Sequence, residues 1–322
     1  MQNISLFMLN RRLIRIKVFK VLYAAETSQS VELSAVEKEL LLSCSKTLDL
    51  YYFLLNIVPA LKRLALQKIE AGRNKFRPSE SELNASTRFV DNRFIAMLEE
   101  DPYFTEICSK KGLGWEEFDV FIKRLYSSVV ASDYYREYME APECTLEDDC
   151  RFVSNIFEQE LEDNEMLEDI LEETSVYWAD DMGYDLNVII KDIAQVAKGG
   201  RLPRHNVFLK DDDRAFAVKL LRTSAVNYDK YVTRLQQHVP NWDPGRIVRV
   251  DACLIVIGLT EAVNFPSIPV KVTINEYVDI SKYYSTPNSH VFVNGVLDVI
   301  IKKMMETGEV VKEGRGLYDG SK

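Results

Sequence analysis

Three arginines within five residues, Arg11, Arg12 and Arg15, form the tightest cluster of strong hydrogen-bond donors near the start of the chain. On a helix, at about 100° per residue, they fall within an arc of roughly 100° and one turn. A guanidinium is planar and permanently charged, so it clamps a phosphate, stacks on an unpaired base, or pairs with a carboxylate. At this point two readings stay open, contact with an anionic ligand and ion pairing with the acids gathered between residues 140 and 181. Tyr23 lies about 20° from Arg12 on the same helical wheel but some three turns further along, either as a stacking surface or as a core tyrosine. Motifs for covalent or acid–base chemistry are absent. The sequence contains no glycine-rich phosphate loop, no H-E-x-x-H and no nucleophile elbow. "SCSK" at 43–46 matches S-x-x-K without its companion motifs, and His205, His238 and His290 are isolated from one another. Asp211, Asp212 and Asp213 stand together, but at the start of an apolar-periodic segment, where carboxylates complement the positive end of the helix dipole. The expectation is a protein that is not an enzyme and needs no cofactor or metal.

The elements that must hold these residues are helical. Apolar residues return at three and four positions almost throughout, which predicts an all-α fold. In "NRRLIRIKVFKVLYAAE" the positions from Leu13 onward are apolar nearly all round, so the body of this helix should be buried and its basic first turn should emerge. "SAVE" at 34–37 and "TLED" at 145–148 fit capping boxes, in which a hydroxyl and a carboxylate three residues on satisfy each other's backbone N–H groups. A long helix is expected from Ser34 to about Gly72 with a kink near Pro59. "RNKFRPSESELN" reads as a polar break, and further helices are expected over 87–99, 115–139, 146–180 with an interruption near Asn164, and 184–198. "KGGRLPRHN" at 198–206 is the clearest linker signal. Beyond it, Asp243 with Pro244 and Thr286 with Pro287 mark helix starts. The segments divide as 1–30, a basic helix; 31–205, a helical insertion; 206–308, a C-terminal helical core; and 309–322, a glycine-rich tail expected to be disordered.

Composition agrees with a packed globular chain of 322 residues, 47% apolar. The longest uncharged runs are shorter than the roughly 20 residues needed to cross a bilayer, and the basic residues follow "ISLFML" instead of preceding it, unlike a secretory signal. A cytoplasmic location is expected. Five scattered cysteines without a C-x-x-C pair suggest neither a disulfide scaffold nor a zinc site. The formal charge of −10 is unevenly placed, since residues 140–181 hold 16 acids against the single base Arg151. Such blocks are most simply solvated helix faces, and less often docking surfaces.

"IPVKVTINEYVDISKYYSTPNSHVFVNGVLDVI" (268–300) resembles the transcription antitermination factor NusB family in its I-P-x-x-V-x-I-N-E spacing and its S-H-x-F-V-N-G-V-L-D string. "WDPGRIVRVDACLIVIGLTEA" resembles the family's W-x-x-x-R-x-x-x-x-D-x-x-x-L helix start at Trp242, Arg246, Asp251 and Leu254, and "RRLIRIKVFKVLY" is similar to its opening helix. The resemblance covers about 10–26 and 211–305, with Val256 and Thr260 standing where the family commonly has arginine and tyrosine. It implies a helical bundle of NusB type with an additional helical insertion between about 30 and 205. It also implies that Arg11, Arg12, Arg15 and Tyr23 contact single-stranded boxA RNA of ribosomal RNA transcripts. The implied partners are the small-subunit ribosomal protein NusE and the RNA polymerase antitermination complex, with no membrane. Asn294 and Gly295 read as a point where a neighbouring helix approaches closely, with Phe292, Val296 and Leu297 in the core. Asn275 and Glu276 read as surface or helix-supporting residues, and Trp242, Arg246 and Asp251 as a packing and ion-pair corner. Three phosphate contacts on a single strand give a salt slope of only about −2, which favours a site completed by a partner. The competing readings are a helical protein-interaction scaffold without RNA binding, and the RNA-binding half of an RNA methyltransferase, for which no methyl-donor motif is visible.

Overall fold

The computed structural model describes residues 9–28, 32–208, 211–238 and 248–318. The helices follow in the order α1 (Arg11–Ser28), α2 (Leu33–Leu55), α3 (Ile57–Arg73), α4 (Glu80–Leu83), α5 (Arg93–Glu100), α6 (Pro102–Lys111), α7 (Asp119–Ala131) and α8 (Asp133–Glu140). Then come α9 (Leu146–Ile156), prolonged by a π-helical turn at Phe157–Leu161, α10 (Glu165–Thr174), α11 (Met182–Ala197), α12 (Asp211–Val226) and α13 (Tyr228–His238). The series ends with α14 (Arg249–Asn264), α15 (Val270–Tyr284), α16 (Ser289–Glu306) and a 3₁₀ turn at Gly314–Leu317. No strand occurs among the described residues, so the all-α expectation holds. The described residues form two compact units, one of residues 45–207 and one of residues 9–44 with 208–318.

The first unit is organised by aromatic packing. Phe53 stacks between Trp115 and Trp178, with ring centroids 4.2 Å and 5.1 Å away, and each indole N–H donates to a backbone carbonyl, of Phe53 and Lys46 respectively. Buried indoles thus keep their one polar atom satisfied. The bend expected near Pro59 falls instead at Asn56, between α2 and α3. Restarting at Ile57 puts Pro59 in the first turn of α3, where its missing N–H costs no intrahelical bond, and the Asn56 side chain donates to Leu113 O at 2.7 Å. The "TLED" box forms as expected, with Thr145 and Asp148 bonded reciprocally. Asn164 caps α10 by accepting from the Leu167 N–H. The "SAVE" box does not form: α2 already begins at Leu33, and the Ser34 hydroxyl donates to the Glu32 carboxylate instead. Most acids of 140–181 line exposed faces, such as Glu158, Glu162, Glu168, Asp169, Glu172 and Glu173, while Leu167, Ile170 and Leu171 point inward. Asp149 is an exception, buried and accepting from Tyr138, Arg93 and Cys144.

The second unit is built around α14, buried continuously from Asp251 to Ala262. A helix apolar on every side belongs at the centre, and α1, α12, α13, α15 and α16 all pack against it. Its closest approach is at Gly258, where an added Cβ would sit 2.9 Å from Leu297 Cδ2 and 3.2 Å from Tyr277 Cδ2. Close packing was expected at Gly295, but nothing lies within 4 Å of a Cβ there, and Asn294 and Gly295 are exposed. Val296 and Leu297 do face the core. Asp251 accepts from the hydroxyls of Ser285 (2.6 Å) and Ser289 (2.8 Å), tying α14 to the start of α16. Trp242, Asp243, Pro244 and Arg246 lie outside the described residues. The tail expected to be disordered from 309 is ordered to Tyr318. Lys312 Nζ donates to Ala262 O and Phe265 O, the Glu313 N–H donates to Pro266 O, and Val310 is buried.

Candidate nucleic-acid interface

Helix α1 begins at Asn10, whose side chain accepts from the Leu13 N–H at 2.8 Å. Its body is locked in place because Leu13, Ile14, Val18, Phe19, Val21, Leu22 and Ala25 are buried. The first turn carries no acid and two arginines, Arg11 and Arg12, with Arg15 one turn on, which runs against the helix dipole at a cost of about 0.3–1 kcal/mol per first-turn cation. Carboxylates from other helices of the unit offset this. Arg11 Nε pairs with Asp213 at 3.1 Å, Arg12 with Asp279 at 3.5 Å, and Arg15 with Glu261 at 2.7 Å and Glu276 at 3.6 Å. The partners are therefore acids of α12, α14 and α15, not of the 140–181 block to which ion pairing was assigned on sequence.

The three arginines separate into two roles. Arg15 was expected in the exposed patch, yet its side chain is only 4% exposed. Its Nε and Nη2 grip the fully buried Glu261 carboxylate at 2.7 and 2.9 Å, and the Thr273 and Tyr277 hydroxyls donate to the same carboxylate at 2.8 and 3.0 Å. Burial alone would lower the Arg15 pKa, but the hydrogen bonds and charge of Glu261 outweigh it and hold the guanidinium above its ordinary value. Burial, followed by the same carboxylate, pushes the Tyr277 phenol up. Both Glu261 oxygens are thus satisfied internally, whereas Glu276 Oε2, 3.6 Å from Arg15, is buried without a hydrogen bond to a described residue. Arg11 and Arg12 remain available to solvent, with side chains 44% and 42% exposed. Asp213 occupies one of the five N–H donors of Arg11. The Phe216 ring lies under Arg11 at 4.8 Å and Arg15 at 5.4 Å, which fixes the direction in which both leave the helix. Lys282 first, and Arg12 after it, hold the Asp279 carboxyl below its ordinary range. Tyr23 is half-buried with its ring 6.1 Å from Phe19.

A cleft of about 810 Å³ opens at this end of α1, lined by Arg11, an edge of Arg15, the Ser267–Pro269 loop, Val272 and the 3₁₀ turn of the tail. Its walls are largely apolar and its charged lining residues, Arg11, Arg15 and Arg315, are all cations. Sequence reading missed this cleft because it treated "EGRGLYDG" as glycine-rich chain without structure. No group of three or more His, Cys, Asp or Glu residues among the described ones is arranged to hold a metal ion. No described helix is long and apolar enough to cross a membrane.

The model of the NusB family matches residues 187–302. The transcription antitermination protein NusB of Salinibacter ruber is 38% identical over 104 residues, 32% of this chain and 65% of that protein. Its counterpart from Chloroherpeton thalassium is 32% identical over 136 residues, 42% and 64% of the respective lengths. That from Methylacidiphilum infernorum is 35% identical over 94 residues, 29% and 66%. The chain thus spans slightly less than two thirds of the length of these curated relatives. No solved structure matches it significantly. Helix α1 lies outside the matched segment but packs against α12 and α14 within it. Residues 187–302 are thus similar to the NusB family, in a chain that is longer than these relatives and carries additional helices.

Proposed function

We propose that the protein is an RNA-binding transcription antitermination factor that contacts boxA-like single-stranded RNA of ribosomal RNA transcripts through Arg11 and Arg12. The small-subunit ribosomal protein NusE supplies the remaining contacts within the RNA polymerase antitermination complex. The observation that carries the reading is the pair of half-exposed guanidiniums at the end of a helix whose body is buried, beside an apolar cleft charged only with cations. Such a site suits a phosphate backbone with unpaired bases, which stack on planar cations and rings. Arg15 acts as a positioning residue, and Tyr23 flanks the site from further along α1. This function involves no catalysis or cofactor and places the protein in the cytoplasm.

The test is RNA binding by the full chain with NusE present. Tighter binding of a boxA strand than of its scrambled counterpart supports the reading, and equal affinities refute it. A second reading, a scaffold for other proteins, is favoured by the exposed acidic face of α10. It takes precedence if RNA binding is absent.

A further inference from the structure

We propose that the C-terminal segment Gly314–Tyr318 is a built part of the RNA site, in which Arg315 and Tyr318 receive an unpaired base and its phosphate. The inference rests on the RNA-binding reading above and adds residues that lie beyond the family match, which ends at 302.

Three observations carry it. The segment is anchored by its own contacts. The Lys312 ammonium and the Glu313 N–H are bonded to the carbonyls of Ala262, Phe265 and Pro266, and Gly316 is buried so closely that a Cβ would meet Pro266 O at 1.8 Å. Only glycine lets the chain turn there, so the residues on either side are held in fixed places. Those neighbours are not buried: Arg315, Leu317 and Tyr318 are exposed, with Leu317 at 70% and Tyr318 at 60%. Finally, Arg315 and Tyr318 line the same cleft as Arg11, no carboxylate lines it, and Arg315 makes no ion pair with a described acid. A cation without a counter-ion among the described residues, an exposed ring and an apolar wall beside a second guanidinium are the features of a stacking platform with a phosphate contact. An acidic peptide would use the cations and leave the ring and the apolar wall idle.

The experiment measures boxA RNA affinity for the full chain with NusE present, comparing the unaltered protein, Arg11→Ala/Arg12→Ala, Arg315→Ala/Tyr318→Ala and Gly316→Ala. The tail side chains are exposed, so their replacement leaves folding intact. Loss of one stacked base and one phosphate contact predicts about tenfold weaker binding and a salt slope shallower by about 0.7 for Arg315→Ala/Tyr318→Ala. Gly316→Ala, which dislodges the segment, should show a similar loss. RNA binding that depends on Arg11 and Arg12 but ignores both tail variants overturns the inference and leaves the RNA reading standing. Tighter binding by the tail variants also overturns it, by making the segment a cover, and so does loss of NusE affinity with RNA affinity unchanged. Absence of boxA preference in the unaltered protein removes both.

Discussion

Replacing Arg15 with methionine should destabilise the second unit severely, although the residue sits one turn from two arginines whose loss should hardly affect stability. The Arg15 side chain is 4% exposed and Glu261 is fully buried. Removing the guanidinium leaves the carboxylate with the Thr273 and Tyr277 hydroxyls as donors but without its counter-ion at 2.7 Å. Breaking a buried pair from one side costs about 3–5 kcal/mol, a large share of the roughly 5–15 kcal/mol that holds a domain folded. Arg15→Met/Glu261→Gln should recover most of this loss, because no charge is left buried at position 261; of the two hydroxyls, which reach different carboxylate oxygens, one still donates to the amide oxygen and the other accepts from the amide NH2. Hydrogen exchange of the α14 amides from Cys253 to Leu259 reads the effect within the right unit. A loss below about 1 kcal/mol, the value of an exposed pair, or a double variant no more stable than the single one, refutes the structural role given to Arg15.

Other expectations are as direct. Gly258→Ala should cost about 1–3 kcal/mol through overpacking against Leu297 and Tyr277, whereas Gly295→Ala, with open space around it, should stabilise α16 by roughly 0.5–1 kcal/mol; denaturation midpoints decide both. Thr145→Ala should cost about 1 kcal/mol by removing the cap of α9. Bonds from Thr145 hold the Asp148 carboxyl below its ordinary 3.8. Because the folded value lies under the unfolded one, this contribution is complete above about pH 4 and lost as pH falls through the folded value, and an NMR titration of Asp148 in both proteins checks it. Burial pushes Cys108 up to about 12 and Cys150 and Cys253 up to about 11, so these thiols should resist a disulfide reagent at pH 8 until the chain unfolds, as its labelling rate would show.

What could be read from sequence was what local chemistry dictates. Helical periodicity, the Thr145–Asp148 box and the interruption near Asn164 depend on residues within four positions of one another, and they appear where expected. The position of the α2–α3 bend depends on where the first turn of α3 falls around Pro59, a choice made by packing of Asn56 on Leu113. The partner of Arg15 lies 246 residues away, so spacing could mark the patch but not say which arginine is buried. The roles of two glycines were not legible in the sequence, for one reason. Gly258 and Gly316 are small because a distant side chain or carbonyl occupies the space, and neither neighbour adjoins them in sequence. The signature string around Asn294 pointed to the family whose model matches residues 187–302, while the helix contact assigned to its glycine belongs to α14.

The most direct test of the central claim is the salt dependence of boxA RNA binding, with NusE present, for the unaltered protein and for Arg11→Ala/Arg12→Ala. Two lost phosphate contacts on a single strand predict weaker binding and a slope of log affinity against log salt that is shallower by about 1.4. An unchanged slope and affinity, in a variant with the stability of the parent, would contradict it and leave Arg11 and Arg12 as partners of Asp213 and Asp279 alone.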